Sequence, residues 1–226
     1  MRYFGGKARI GKRLAEVLEP QQGRYWEPFC GMFSVGRHIK SPRYASDAHP
    51  DLILLLEAIR DGWVPPHTIT EDEYNALKTD PPSRMRAFAG FGCSNSGKFF
   101  GGYARENSGR NFAQNAVNSL GKLRPLIQDV EFGQHQYTEN IDADTIYCDP
   151  PYSNTTGFTV GAFDTQAFWK WVMIRSESAF VVVSEYTAPK GFVAIWEKEV
   201  RTDMNNSAKQ KINRVEKLFV HESNLA

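Results

Sequence analysis

An α/β fold built on a mostly parallel sheet is predicted for this chain by three observations. Two short apolar runs, Thr145 to Cys148 and Phe180 to Val183, are uninterrupted in the way of strands buried on both faces of a sheet. Helical spacing brackets them, as in Ile10, Leu14 and Leu18, four residues apart. The 226 residues are 41% hydrophobic and 23% charged, which fits one ordinary globular domain with a small insertion and disfavours disorder.

The elements follow in order. Residues 8 to 18 predict a short amphipathic helix, and Glu27 to Gly36 a strand-to-helix turn. Pro50 suits a first helical position, the run Leu52 to Leu56 the helix itself, and Gly62 the position just past its end. Pro65, Pro66, Pro81 and Pro82 surround a short helix near Glu71 to Lys78 and open an insertion over residues 63–124, which divides a main unit of residues 1–62 and 125–226. Residues 90 to 111 read as a Gly-rich aromatic loop. Phe112, Ala116, Leu120 and Leu123 predict a helix disturbed at Pro125. The strand at 145–148, a helix around 165–177 and the strand at 180–183 come next, and Val215 to Val220 predicts an edge strand.

No apolar run approaches the eighteen or so residues of a membrane span, and no signal-peptide core follows Met1, so a cytoplasmic protein without membrane contact is expected. Cys30, Cys93 and Cys148 form no CxxC pair and no disulfide framework. The five histidines show no HExxH or clustered spacing, so no metal is expected.

A formal charge of +1 conceals segregation. Residues 1 to 43 carry +6, 44 to 83 carry −6, 84 to 124 carry +6, and 125 to 165 carry −7. Within 84–124, Arg84, Arg86, Lys98, Arg105, Arg110, Lys122 and Arg124 stand against Glu106 alone. Such a segment is either a phosphate-facing surface or a solvated basic face.

The chemistry concentrates at Asp149, Pro150, Pro151 and Tyr152, directly after a buried strand. Ligands bind at the carboxyl ends of strands in open α/β sheets, so a carboxylate, a rigid backbone and an aromatic face would converge at a site mouth. This suits methyl transfer to a planar exocyclic amine. The Asp149 carboxylate and the Pro150 carbonyl would accept both amino hydrogens, turning the nitrogen lone pair toward an electrophile, while Tyr152 stacks on the ring. The acceptors act by orientation and electrostatics, without a general base. On its own the tetrad is also a turn after a strand.

Two further clusters are weaker. Glu27, Pro28, Phe29, Cys30 and Gly31 precede Asp47, whose spacing of sixteen from Gly31 is near that of a ribose-binding carboxylate. GxGxxG is absent, as is a P-loop lysine, and a plain structural turn fits equally. Tyr3, Phe4, Gly5, Gly6 and Lys7 would let a backbone and a lysine reach an anionic group, or form a flexible terminus.

Taken together and in this order, YFGGK, EPFCG and DPPY resemble the Dam-type (alpha group) DNA adenine N6-methyltransferases, with the look of small phage or prophage-type members. The resemblance runs from Tyr3 to Phe219. It implies a Rossmann-like methyltransferase fold, S-adenosyl-L-methionine as cofactor and double-stranded DNA as partner, with the target adenine flipped out of the stack. By position, Tyr3, Lys7 and Asp47 would bind the cofactor, Glu27, Pro28, Phe29 and Gly31 would wrap its methionine portion, and Asp149 to Tyr152 would hold the adenine, with Asp149 also near the cofactor. Two departures stand out: Phe33 replaces a usual small residue, and Gln136 with Tyr137 replace an Asp-aromatic pair that commonly contacts the cofactor adenine.

The resemblance also places a target-recognition insertion over the basic segment. Arg84, Arg86, Arg110, Lys122 and Arg124 would then hold phosphates, and Asn95, Lys98, Phe99, Phe100, Tyr103 and Arg105 would reach or wedge bases. So short an insertion implies a short or relaxed target sequence. The basic stretch Lys209, Lys211 and Arg214 would form a loop on the DNA side. Monomer and weak dimer both remain open.

Competing readings are distinguishable. C5 methylation of cytosine needs a nucleophilic cysteine, usually after proline, and none of the three follows one. Cytosine N4 methylation uses the same geometry, more often with Ser leading the tetrad. A nicotinamide oxidoreductase would want GxGxxG, and a non-catalytic DNA-binding module would have no reason to keep the tetrad.

Overall fold

The structure is a computed structural model that describes residues 1–18, 23–105, 110–151, 163–202 and 212–225. Its centre is a seven-stranded sheet. In chain order the elements are α1 (Gly11–Leu18), β1 (Tyr25–Glu27), β2 (Arg43–Asp47), α2 (Pro50–Arg60), α3 (Glu71–Leu77), α4 (Arg84–Ala87), α5 (Phe112–Leu123), β3 (Val130–Gln134), β4 (Thr145–Cys148), α6 (Thr165–Arg175), β5 (Phe180–Glu185), β6 (Phe192–Thr202) and β7 (Ile212–His221). The strand order is β3-β2-β1-β4-β5-β7-β6. The first five strands are parallel, and β7 runs antiparallel to both neighbours. This is the Rossmann-like α/β fold with a mostly parallel sheet that the sequence predicts. The order reverses between β1 and β4, and that switch point opens a crevice at the strand carboxyl ends.

The period-two alternation of the strands divides the core between the sheet's two faces. Tyr25, Tyr147, Val182, Leu218 and Val220 enter one cluster with α1, α2 and α5. Trp26, Ile146, Cys148, Val181, Val183 and Phe219 enter the other with α6. Cys148 is thus strand packing.

Local signals account for the helix ends. Pro50 opens α2 and Gly62 follows it at φ +100°. Thr70 and Glu73 form a reciprocal capping box on α3, Asn111 caps α5, and Asp164 caps α6. Within segment 63–124, Ile69, Tyr74, Phe88, Phe91, Ala116 and Leu120 share the core of α2, so the segment packs into the main body.

Four features differ from the sequence expectations. The C-terminal strand β7 lies inside the sheet, and the edge is β6, whose residues are mostly exposed or half-buried and give no clean alternation. The EPFCG turn leads to turns and one short 3-10 turn (Gly36–His38), not to an α-helix. Phe88–Gly92, partly within the expected loop, is a buried π-helical turn continuing α4. It is held there by aromatic packing: a side chain at Gly90 would strike the ring of Phe99. Finally, β3 is a strand where the sequence predicts no element, because Glu131 and Gln134 face solvent and leave no apolar run.

Candidate active site

At the crevice, β1 and β4 end side by side. The turn after β1 (Glu27 to Gly31), Asp47 at the end of β2, Gln136 and Tyr137 after β3, and Asp149 to Pro151 after β4 line one cleft with Tyr3 to Lys7. All three sequence motifs therefore converge. Tyr152 lies outside the described residues.

Lys7 is the electrostatic hub. Its Nζ donates to Asp149 Oδ1 at 2.8 Å and lies 3.5 Å from Glu216 Oε1. Burial works to lower the Lys7 pKa, and the charges of Asp149 and Glu216 outweigh it, so the ammonium is held above its ordinary value. This lysine joins the N-terminal motif to DPPY, a link that sequence order alone does not show.

The turn after β1 is ordered from below by Glu27. Its Oε2 accepts from the Tyr25 hydroxyl at 2.8 Å and from the Gly36 backbone N–H at 2.9 Å. Burial pushes its pKa up to about 8, against these donors, so the carboxyl is a structural acid under the loop. Gly31 has φ +48°, and a Cβ there would sit 2.9 Å from the Tyr3 ring. Glycine at this position thus lets the aromatic of the first motif lie against the loop.

Phe33 also adopts a positive φ, +50°, where a glycine would be unstrained. Its ring is fully buried, turned away from the cleft and edge-on to Phe132. The bulky replacement therefore fills core and does not line the cleft.

Asp47 Oδ2 accepts from the Gly31 N–H at 3.1 Å and Oδ1 from the His49 N–H at 3.0 Å. Burial raises its pKa to about 6 although these bonds oppose it. The carboxylate is thereby fixed at the rim, oriented as an acceptor for hydroxyl groups. In the same cleft, Tyr137 stacks on Phe29 with centroids 5.4 Å apart, and Phe163 and Phe168 meet them edge-on or tilted. Gln136 lines the cleft beside this aromatic wall.

Two groups at the site, Glu216 and His49, belong to none of the motifs. Glu216 on β7 accepts from Ser184 Oγ at 2.5 Å and faces Lys7 from behind. His49 lies edge-on to Phe99 at 4.5 Å on the cleft wall, and burial lowers its pKa. A carboxyl on a β-strand and a histidine beside Pro50 were legible only as composition.

The basic segment is more divided. Arg86 pairs with the buried Asp51 at 2.5 Å and stacks over Phe99. Arg105 makes a two-pronged pair with Glu71 at 2.7 and 3.1 Å, and Arg84 lies over Trp63. The Tyr103 hydroxyl donates to the Ile69 carbonyl, and Asn95 reaches the Tyr103 carbonyl at 3.5 Å. Arg110, Lys122 and Arg124 are exposed, and Lys98 is exposed at the cleft mouth. Of the expected DNA-side loop, Lys209 and Lys211 lie outside the described residues, as does the side chain of Arg214.

Among the described residues no cluster of three His, Cys, Asp or Glu could hold a metal ion, and no helix is long and apolar enough to cross a membrane.

No family model matches the chain, and no curated protein matches its sequence. Among solved structures, it is similar to a conserved hypothetical protein from Streptococcus pyogenes, at 9% identity and TM-score 0.41, covering 95% of this chain and 97% of that one. It is similar to a precorrin-6y C5,15-methyltransferase from Geobacter metallireducens GS-15, at 8% identity and TM-score 0.41, over 94% of this chain and 86% of the other. A third is a candidate RNA methyltransferase from Pyrococcus horikoshii, at 10% identity and TM-score 0.43, over 95% and 82% of the two chains. The fold assignment rests on the strand order, and none of these neighbours' activities is carried over.

Proposed function

We propose that this chain is an S-adenosyl-L-methionine-dependent methyltransferase that methylates the N6 amino group of a flipped-out adenine in double-stranded DNA. The observation that carries the reading is the convergence of YFGGK and DPPY through the Lys7–Asp149 pair, in the cleft that Glu27, Gly31 and Asp47 shape. The donor set fits the cofactor. Asp47 offers a fixed carboxylate for ribose hydroxyls, Tyr137 and Phe29 an aromatic wall for a planar ring, and the turn at Gly31 a backbone surface without a Cβ. When bound, that cofactor supplies an electrophilic methyl group on a sulfonium centre.

The rest of the chemistry falls to the chain. Asp149, at the carboxyl end of β4, accepts a hydrogen bond from one N–H of the target amine and the Pro150 carbonyl from the other, so the nitrogen lone pair is aimed without prior deprotonation, and the proton the amine sheds once it has gained the methyl group leaves by way of the Asp149 carboxylate to solvent. Two consecutive prolines hold these acceptors in a restricted backbone. Lys98 at the cleft mouth and exposed Arg110, Lys122 and Arg124 supply cations for phosphates.

The test is incubation with unmethylated DNA and methyl-labelled cofactor, followed by nucleoside mass spectrometry. Label in N6-methyladenine is expected. Label in N4-methylcytosine would keep the mechanism and overturn the base, and no transfer to DNA would overturn the reading.

A further inference from the structure

Glu216 belongs to none of the three motifs, yet it completes the charge cluster at their meeting point. It sits on β7, is 4% exposed, and is in register with Lys198 on β6. A carboxylate is costly to bury unless it is hydrogen-bonded and paired. Here it receives the Ser184 hydroxyl at 2.5 Å and lies 3.5 Å from the Lys7 ammonium. Lys7 is itself 7% exposed and meets Asp149 at 2.8 Å on its cleft side. Lys7 thus stands between Asp149, toward the cleft, and Glu216 behind, with the Glu185 carboxyl also within electrostatic reach of all three. Neutralising Lys7 requires only one carboxylate. Glu216, the second, draws the ammonium backward, away from Asp149.

We propose that Glu216 is a positioning residue that acts through Lys7. By holding the rear of the ammonium, it fixes the orientation of the Asp149 carboxylate and preserves its strength as an acceptor for the target amine. The kinetic part of this inference rests on the methyl-transfer reading above; the structural part does not.

The experiment compares Glu216→Gln and Glu216→Asp with wild type. Glutamine keeps the size of the side chain and can still accept from Ser184 through its one oxygen, so the substitution removes the charge while keeping that hydrogen bond. In Glu216→Gln the Lys7 ammonium resonance, followed by heteronuclear NMR, is expected to shift. Binding of S-adenosylhomocysteine should stay within about twofold, KM for DNA and cofactor within about threefold, and kcat should fall by at least about tenfold. Glu216→Asp should recover part of that loss. A kcat within about twofold of wild type, or an unmoved Lys7 signal, would overturn the proposal. So would parallel losses of kcat, S-adenosylhomocysteine binding and melting temperature that Asp does not rescue, since those mark a purely structural carboxyl. Should Glu216→Gln fail to fold, Ser184→Ala, which frees the same carboxylate without changing charge, must shift the Lys7 signal or the proposal fails. If wild type transfers no methyl group, the functional reading fails by itself, and the Lys7 signal still decides whether Glu216 holds the lysine.

Discussion

The cleft and the basic segment use charge in opposite ways. At the cleft, ionisable groups from distant parts of the chain are buried and interlocked: Lys7 with Asp149 and Glu216, Asp47 with the backbone of Gly31 and His49, Glu27 with Tyr25 and Gly36. In segment 84–124 the count of positive residues is high, but Arg86 and Arg105 are held by Asp51 and Glu71. A charge tally therefore overstates the cations such a surface can offer to phosphate, whereas an unremarkable tally at the cleft conceals its chemistry.

The largest effect that would sharpen this contrast lies at the cleft. Asp149→Ala is expected to lower methyl transfer by about 100- to 1000-fold, as loss of an oriented transition-state partner does, while the protein stays folded and keeps weak DNA binding. Single-turnover transfer with circular dichroism checks it, and activity within a few fold of wild type would break the mechanism. In the basic segment the prominent effect should be on stability. Arg86→Met leaves buried Asp51 without its arginine, held only by the Ser83 N–H and the nearby His49 ring, so urea unfolding is expected to show a loss of about 3 kcal/mol.

Next in size is a pH effect at Glu27. Its folded pKa, about 8, lies above its unfolded value, so its protonated form stabilises the fold. That contribution is fully present below the unfolded pKa and is lost as pH rises through about 8. Between pH 5 and 8 the wild type should lose about 3 kcal/mol of stability from this group. Glu27→Gln, which can still accept from Tyr25 and Gly36 through one oxygen, should flatten the profile. An unchanged slope in denaturation measured across that window would remove the buried acid from the account. The smallest change is expected for Lys122→Ala. Stability should move by less than about 0.5 kcal/mol, and the salt dependence of DNA affinity should lessen by about one unit of slope. Equal slopes in fluorescence anisotropy would exclude Lys122 as a phosphate contact.

The sheet's interior was legible because Thr145 to Cys148 and Val181 to Val183 are buried on both faces, and the helix limits because Pro50, Gly62 and the Thr70–Glu73 box mark them. The edge strand β6 was not, since one half-buried strand carries little apolar pattern. The motifs identified where the cleft would be, but not how its charges close. Glu216 became visible only when β7 was placed beside β5, because pairing between distant strands leaves no local signature. Arg86 failed to announce its partner for the same reason: Asp51 is 35 positions away.

The span of the Lys7 cluster also bears on how the protein is made. Lys7 and Asp149 are 142 positions apart, and Glu216 is farther still. At translation rates of about 5–20 residues per second, the lysine leaves the ribosome roughly 10 to 40 s before the second carboxylate is even polymerised. The crevice can acquire its final charge only after synthesis of almost the whole chain, so a nascent chain stalled before β7 would carry the YFGGK, EPFCG and DPPY motifs without the Lys7–Glu216 pair behind them.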